Sequence, residues 1–116
     1  MCGIAGALGL GRALPQARRN EVESMLGALR HRGPDQAGIH CEERAVLGNS
    51  RLRIIDLSPQ ADLPMASEDR GVWLAYNGMV TNFRELKVKY GLKTRGASDS
   101  EVVLLLYEKL GARLVG

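Results

Sequence analysis

Aromatic side chains are scarce: one Trp, one Phe and three Tyr among 116 residues. A core built from this sequence must therefore be aliphatic. A large excess of one charge is also missing, with 16 basic against 13 acidic residues and a net charge of +3. The arginines between Arg12 and Arg53 form no unbroken run, so charge demands neither a nucleic acid nor a membrane surface as partner. No apolar stretch is long enough to span a bilayer. The apolar opening from Ile4 to Leu10 has no basic segment before it, which argues against a secretory signal. Two cysteines, Cys2 and Cys41, allow one disulfide at most. Without a signal, the expectation is a reducing cytoplasm with both thiols free.

What is present fits one domain over residues 1–116. Hydrophobic residues make up 45% and charged residues 25%, close to globular averages, so the chain is not disordered in character. Met1 to Gly9 reads as a glycine-rich strand whose small residues suggest close backbone approach on one face. A helix follows with Pro15 in its first turn and Val22, Met25, Leu26 and Leu29 in one apolar stripe. Gly33-Pro34 stops it. Short strands are expected at Gly38–Cys41 and Ala45–Leu47 around a Glu42-Glu43-Arg44 turn, with another extended piece at Leu52–Ile55. Ser58 to Asp69 reads as a loop. Val72 to Tyr76 reads as a strand ending on the turn pair Asn77-Gly78. Asn82 caps a short helix to Tyr90. Ser98-Asp99-Ser100-Glu101 is a capping box opening a last helix with Val102, Val103, Leu106 and Leu110 on its apolar side. Strand, helix, several strands, helix, helix suits an α+β fold better than an alternating parallel sheet.

Cys2 follows the initiator methionine and becomes residue one if that methionine is removed. Its α-amine would then titrate near working pH, where a general base is most useful, on the same residue as a nucleophilic thiol. Asn77-Gly78 is a hairpin signal, yet an Asn amide and a Gly N–H are also a pair of donors for an oxyanion. Arg51 can fork onto a carboxylate, though a solvated surface arginine is the commoner case. Asp99 suits a helix first turn through the dipole alone, and can also hold an ammonium. Together they match glutamine: an ammonium, a carboxylate and an amide carbonyl, each with a partner.

Five ordered blocks carry a resemblance. Met1-Cys2-Gly3-Ile4, Arg30 to Asp35, Ser50 to Asp56, Asn77-Gly78 with Asn82, and Ser98 to Val102 resemble the signatures of class II glutamine amidotransferases, most closely the glutaminase domain of asparagine synthetases. The resemblance implies an N-terminal-nucleophile hydrolase fold, a four-layer αββα sandwich of which only the first part is expected here. It implies that Cys2 is the nucleophile with its own α-amine as base, and that Asn77 and Gly78 form the oxyanion hole. By the same resemblance Arg51 holds the carboxylate of L-glutamine and Asp99 its ammonium, with the backbone of Ile54, Ile55 and Met79 lining the pocket. The products would be glutamate and ammonia through a thioester. The ammonia would pass to a synthetase domain or chain, to which ATP and Mg would belong, so no cofactor is expected in this domain. One departure stands out: asparagine synthetases usually carry Glu-Ile-Tyr-Asn after the Asn-Gly pair, where this chain has Met79-Val80-Thr81-Asn82.

Other readings compete. Cys2, His31, His40 and Cys41 lack the paired spacing of a zinc site. Gly6, Gly9 and Gly11 imitate a nucleotide-binding loop only loosely. A non-catalytic relic, or a subunit completed by another chain, is the more serious alternative. The helices lack strands to cover them, so the chain reads as unfinished, marginally stable and inclined to form homo-oligomers.

Overall fold

The computed structural model describes residues 1–115. Eight regular elements follow one another: β1 (Gly3–Leu8), α1 (Gln16–Ala28), β2 (Gln36–Cys41), β3 (Ala45–Arg51), β4 (Met65–Ala66), β5 (Trp73–Leu74), α2 (Phe83–Lys89) and α3 (Asp99–Leu110), with short 3-10 turns at Pro59–Ala61 and Gly111–Val115. The fold is α+β, as the order of elements in the sequence implies. Two compact units divide the chain. One holds Met1–Arg53, Asp62–Pro64 and Ala75–Gly78; the other holds Ile54–Ala61, Met65–Leu74 and Met79–Gly116.

In the first unit β1, β3 and β2 form an antiparallel sheet with β3 in the middle. Gly3 pairs with Ser50 and Gln36 with Arg51, so the start of β1 and the start of β2 flank the end of β3. Helix α1 covers one face through Val22 and Leu26, both buried. Met25, expected in the same stripe, is 46% exposed. The small residues of β1 permit the close approach of α1: a side chain on Gly3 would lie 3.0 Å from Leu29 Cβ. Arg18 and Glu21, and Arg19 and Glu23, pair on the outer side of α1. Exposed pairs of this kind add little stability.

The strand β3 is longer than the sequence pattern suggests, and the extended piece expected at Leu52–Ile55 is irregular. Side chains take over the ladder there. Leu52 N–H donates to Cys2 Sγ at 3.4 Å, and Arg53 N–H donates to Asp35 Oδ2 at 2.9 Å. The strand expected over Val72–Tyr76 shrinks to Trp73–Leu74 for the same reason. Val72 N–H donates to Ser67 Oγ at 3.0 Å, and Tyr76 N–H to the Asn49 side chain at 2.7 Å. Only Met65 with Leu74 and Ala66 with Trp73 remain as ladder pairs. The loop expected at Ser58–Asp69 therefore contains β4 as well as a 3-10 turn.

The core of the second unit is mostly aliphatic, built around one aromatic ring. Phe83, Val102 and Leu106 are buried, with Ile55, Val80, Leu86 and Leu110 among the side chains packed on them. Each fully buried side chain of this size contributes roughly 1.5–3 kcal/mol. Leu104 is also buried, on the side of α3 outside the expected stripe. The capping box is half made. Ser98 Oγ accepts Glu101 N–H at 3.3 Å, but the Glu101 carboxylate turns to Arg95 N–H at 2.8 Å and Gly96 N–H at 2.9 Å. Asn82 stands at the start of α2 without a side-chain capping bond. Among the described residues no helix is long and apolar enough to cross a membrane.

Candidate active site

The first unit gathers its expected site residues around the C-terminal end of β3. Cys2 immediately precedes β1, which pairs with β3, and its half-buried Sγ accepts the Leu52 N–H one residue beyond Arg51. The Cys2 carbonyl accepts from Arg32 Nε at 3.1 Å, so backbone and thiol are both held. Asp35 pins the same corner, its N–H donating to Arg51 O at 3.1 Å and its carboxylate accepting from Arg53 N–H. The block from Arg30 to Asp35 thus holds Cys2 and the end of β3. Both cysteines are free thiols.

Arg51 is buried, at 5% exposure, and its Nη1 lies 3.0 Å from Asp62 Oδ1. The reading of this arginine as a solvated surface residue is therefore wrong. Burial of a guanidinium is costly unless it is paired.

Asn77 and Gly78 are exposed and do not form a hairpin turn. A type I′ turn needs positive φ at both central residues, and among the described residues positive φ occurs only at Gly11, Arg70, Gly91 and Gly111. Asn77-Gly78 instead leaves β5 as irregular chain anchored by the Asn49–Tyr76 bond. Space at Gly78 is tight: a Cβ there would lie 3.0 Å from the Tyr76 ring, which would have to shift.

The remaining expected residues belong to the second unit. Asp99 opens α3, is 6% exposed, and accepts Val80 N–H on Oδ2 at 2.9 Å. That bond ties the helix start to the residue after Met79. Met79 is 56% exposed and Ile54 59% exposed, whereas Ile55 packs into the core. Asp56 accepts Ser58 N–H at 2.8 Å and Ala97 N–H at 2.7 Å, bracing the segment that leads into α3.

Three residues that sequence reasoning did not single out matter here: Asn49, Asp62 and Gln36. Asn49 and Gln36 act on backbone 27 residues away and Asp62 on two arginines, partners that only the tertiary structure reveals. The competing zinc quartet does not assemble. His31 Nδ1 sits 3.0 Å from Ala28 O and His40 Nε2 2.9 Å from Glu42. Among the described residues no three His, Cys, Asp or Glu cluster as metal ligands.

The chain is similar to known proteins along almost its whole length. The family model described as a glutamine amidotransferase domain matches residues 1–116. An asparagine synthetase [glutamine-hydrolyzing] of Zea mays is 42% identical over 118 residues, covering 99% of this chain and 20% of that protein. A putative asparagine synthetase [glutamine-hydrolyzing] 2 of Methanocaldococcus jannaschii is 36% identical, over 96% of this chain and 24% of its own length. Asparagine synthetase B [glutamine-hydrolyzing] of Escherichia coli is 34% identical, over 96% of this chain and 20% of its own length. The chain thus spans 20–24% of the length of these relatives. Its five motif blocks, and the family match along its whole length, make it a member of the glutamine amidotransferase domain family, similar to the glutaminase part of asparagine synthetases.

Proposed function

We propose that the chain is the glutaminase unit of an asparagine synthetase-like amidotransferase, hydrolysing L-glutamine through a thioester on Cys2. The observation that carries the reading is the seating of Cys2 Sγ against Leu52 N–H, next to a buried arginine. In this reading the thiol is the nucleophile and the arginine the receptor of the substrate carboxylate.

In this reading, removal of Met1 frees the Cys2 α-amine, which takes the thiol proton, directly or through a water. The thiolate attacks the side-chain amide carbon, and the resulting oxyanion is met by the Asn77 amide and the Gly78 N–H. The proton returns to the departing nitrogen as the C–N bond breaks, and ammonia leaves a glutamyl thioester. Water, losing its proton to the amine, cleaves the thioester to glutamate and restores the thiol. Arg51 takes the α-carboxylate and Asp99 the α-ammonium, with backbone of Ile54, Ile55 and Met79 along the substrate.

The finer fold in this reading is the four-layer αββα sandwich of N-terminal-nucleophile hydrolases. The ammonia acceptor, with its ATP and Mg, lies in a synthetase domain or chain. Glutamate release from glutamine that is lost in Cys2→Ala supports the reading; release that survives this substitution removes Cys2 from the chemistry.

A further inference from the structure

We infer that Asp62 is a positioning residue for Arg51, fixing the guanidinium that receives the substrate carboxylate. The inference rests on the glutaminase reading above. Asp62 Oδ1 lies 3.0 Å from Arg51 Nη1 and 3.0 Å from Arg53 Nη2, and Oδ2 lies 3.2 Å from the same Arg53 nitrogen. The Arg51 side chain is 6% exposed, whereas Asp62 and Arg53 are 30% and 29% exposed. The deepest member of the cluster is thus the arginine, and a charge so buried depends on its partner.

Asp62 is itself held in place. The Gln36 carboxamide donates from Nε2 to Leu63 O at 2.9 Å and accepts Leu63 N–H on Oε1 at 3.2 Å. This two-point clasp mimics a strand pair and fixes the residue next to Asp62 on β2. A carboxylate on a fixed backbone engages one of the five guanidinium donors of Arg51, which sets the direction of the planar fork. The same carboxylate also holds Arg53, so Asp62 fixes the two guanidinium groups relative to each other.

The test uses 6-diazo-5-oxo-L-norleucine, a glutamine analogue that retains the α-carboxylate and α-amine. A thiol displaces its N2, forming an S–C bond while the thiol proton moves to the diazo carbon, and intact mass reports the adduct. Iodoacetamide, which has no carboxylate, is the control. The wild-type chain should be labelled saturably, and not at all in Cys2→Ala. Asp62→Asn should raise the half-saturating concentration about tenfold, with an unchanged iodoacetamide rate. Asp62→Glu, which keeps the charge one methylene farther out, should fall between the two, and it decides the matter if the Asn variant does not fold. Saturation at the wild-type concentration in a folded Asp62 variant overturns the inference. Wild-type labelling without saturation overturns the glutamine reading, and the inference with it.

Discussion

The Asn49 side-chain oxygen accepts the Tyr76 N–H at 2.7 Å, tying the middle strand of the sheet to the residue before Asn77-Gly78. Asn49 is fully buried. A buried amide in the central strand therefore sets where the proposed oxyanion donors begin. Asn49→Ala deprives Tyr76 N–H of this acceptor and should cost about 1–3 kcal/mol of stability. Urea unfolding measures that cost. In material that remains folded, kcat should fall more than KM rises, because the donors lose their anchor and the carboxylate receptor keeps its own.

Asn77→Ala tests the donors directly. Removing one oxyanion donor costs about 100- to 1,000-fold in kcat, with KM little changed. Steady-state glutamate release measures both. Because Asn77 is exposed and serves no turn, its melting temperature should stay close to wild type. A large loss of stability would return Asn77-Gly78 to a structural role.

Met79→Glu should lower the KM for glutamine. The resemblance to asparagine synthetases implies Glu at this position, and Met79 stands beside Val80, whose N–H is held by Asp99. A carboxylate there adds a charge-assisted hydrogen bond to the substrate ammonium. An unchanged or higher KM at intact kcat would contradict that placement.

The β4–β5 hairpin should weaken in acid through Asp69. The hydrogen bond from Gly71 N–H, and next the one from Ser67 Oγ, hold the Asp69 carboxyl below its ordinary range. A depressed folded-state pKa stabilises the folded form above the unfolded carboxylate value, and that contribution disappears as pH falls through the depressed value. NMR titration of the Gly71 amide should follow this loss below the usual carboxylate range, and Asp69→Asn should abolish the acid-side change.

Much of this was legible in the residues, and the failures share a cause. Periodicity located α1, and Ser98 with Glu101 marked the start of α3, because those signals are local. The expected strands at Leu52–Ile55 and Val72–Tyr76 dissolved where side chains of Cys2, Asp35, Asn49 and Ser67 took the backbone donors. No periodicity reports such a long-range capture. The same blindness hid Asp62, which reads as one more polar residue in a loop until Arg51 is seen buried against it. The Asn77-Gly78 pair misled in the other direction. Its propensity for a hairpin is real, but the backbone never takes the positive φ that a type I′ turn requires.

The central claim is that Cys2, as the first residue of the mature chain, carries the glutamyl group. The most direct measurement is intact mass and peptide mapping of protein acid-quenched during turnover of L-glutamine. A chain beginning at Cys2, with a glutamyl adduct on its N-terminal peptide that is absent in Cys2→Ala, is the predicted result. Glutamate release by protein that retains Met1, or that never shows an adduct at Cys2 although the quench preserves thioesters, would contradict the account.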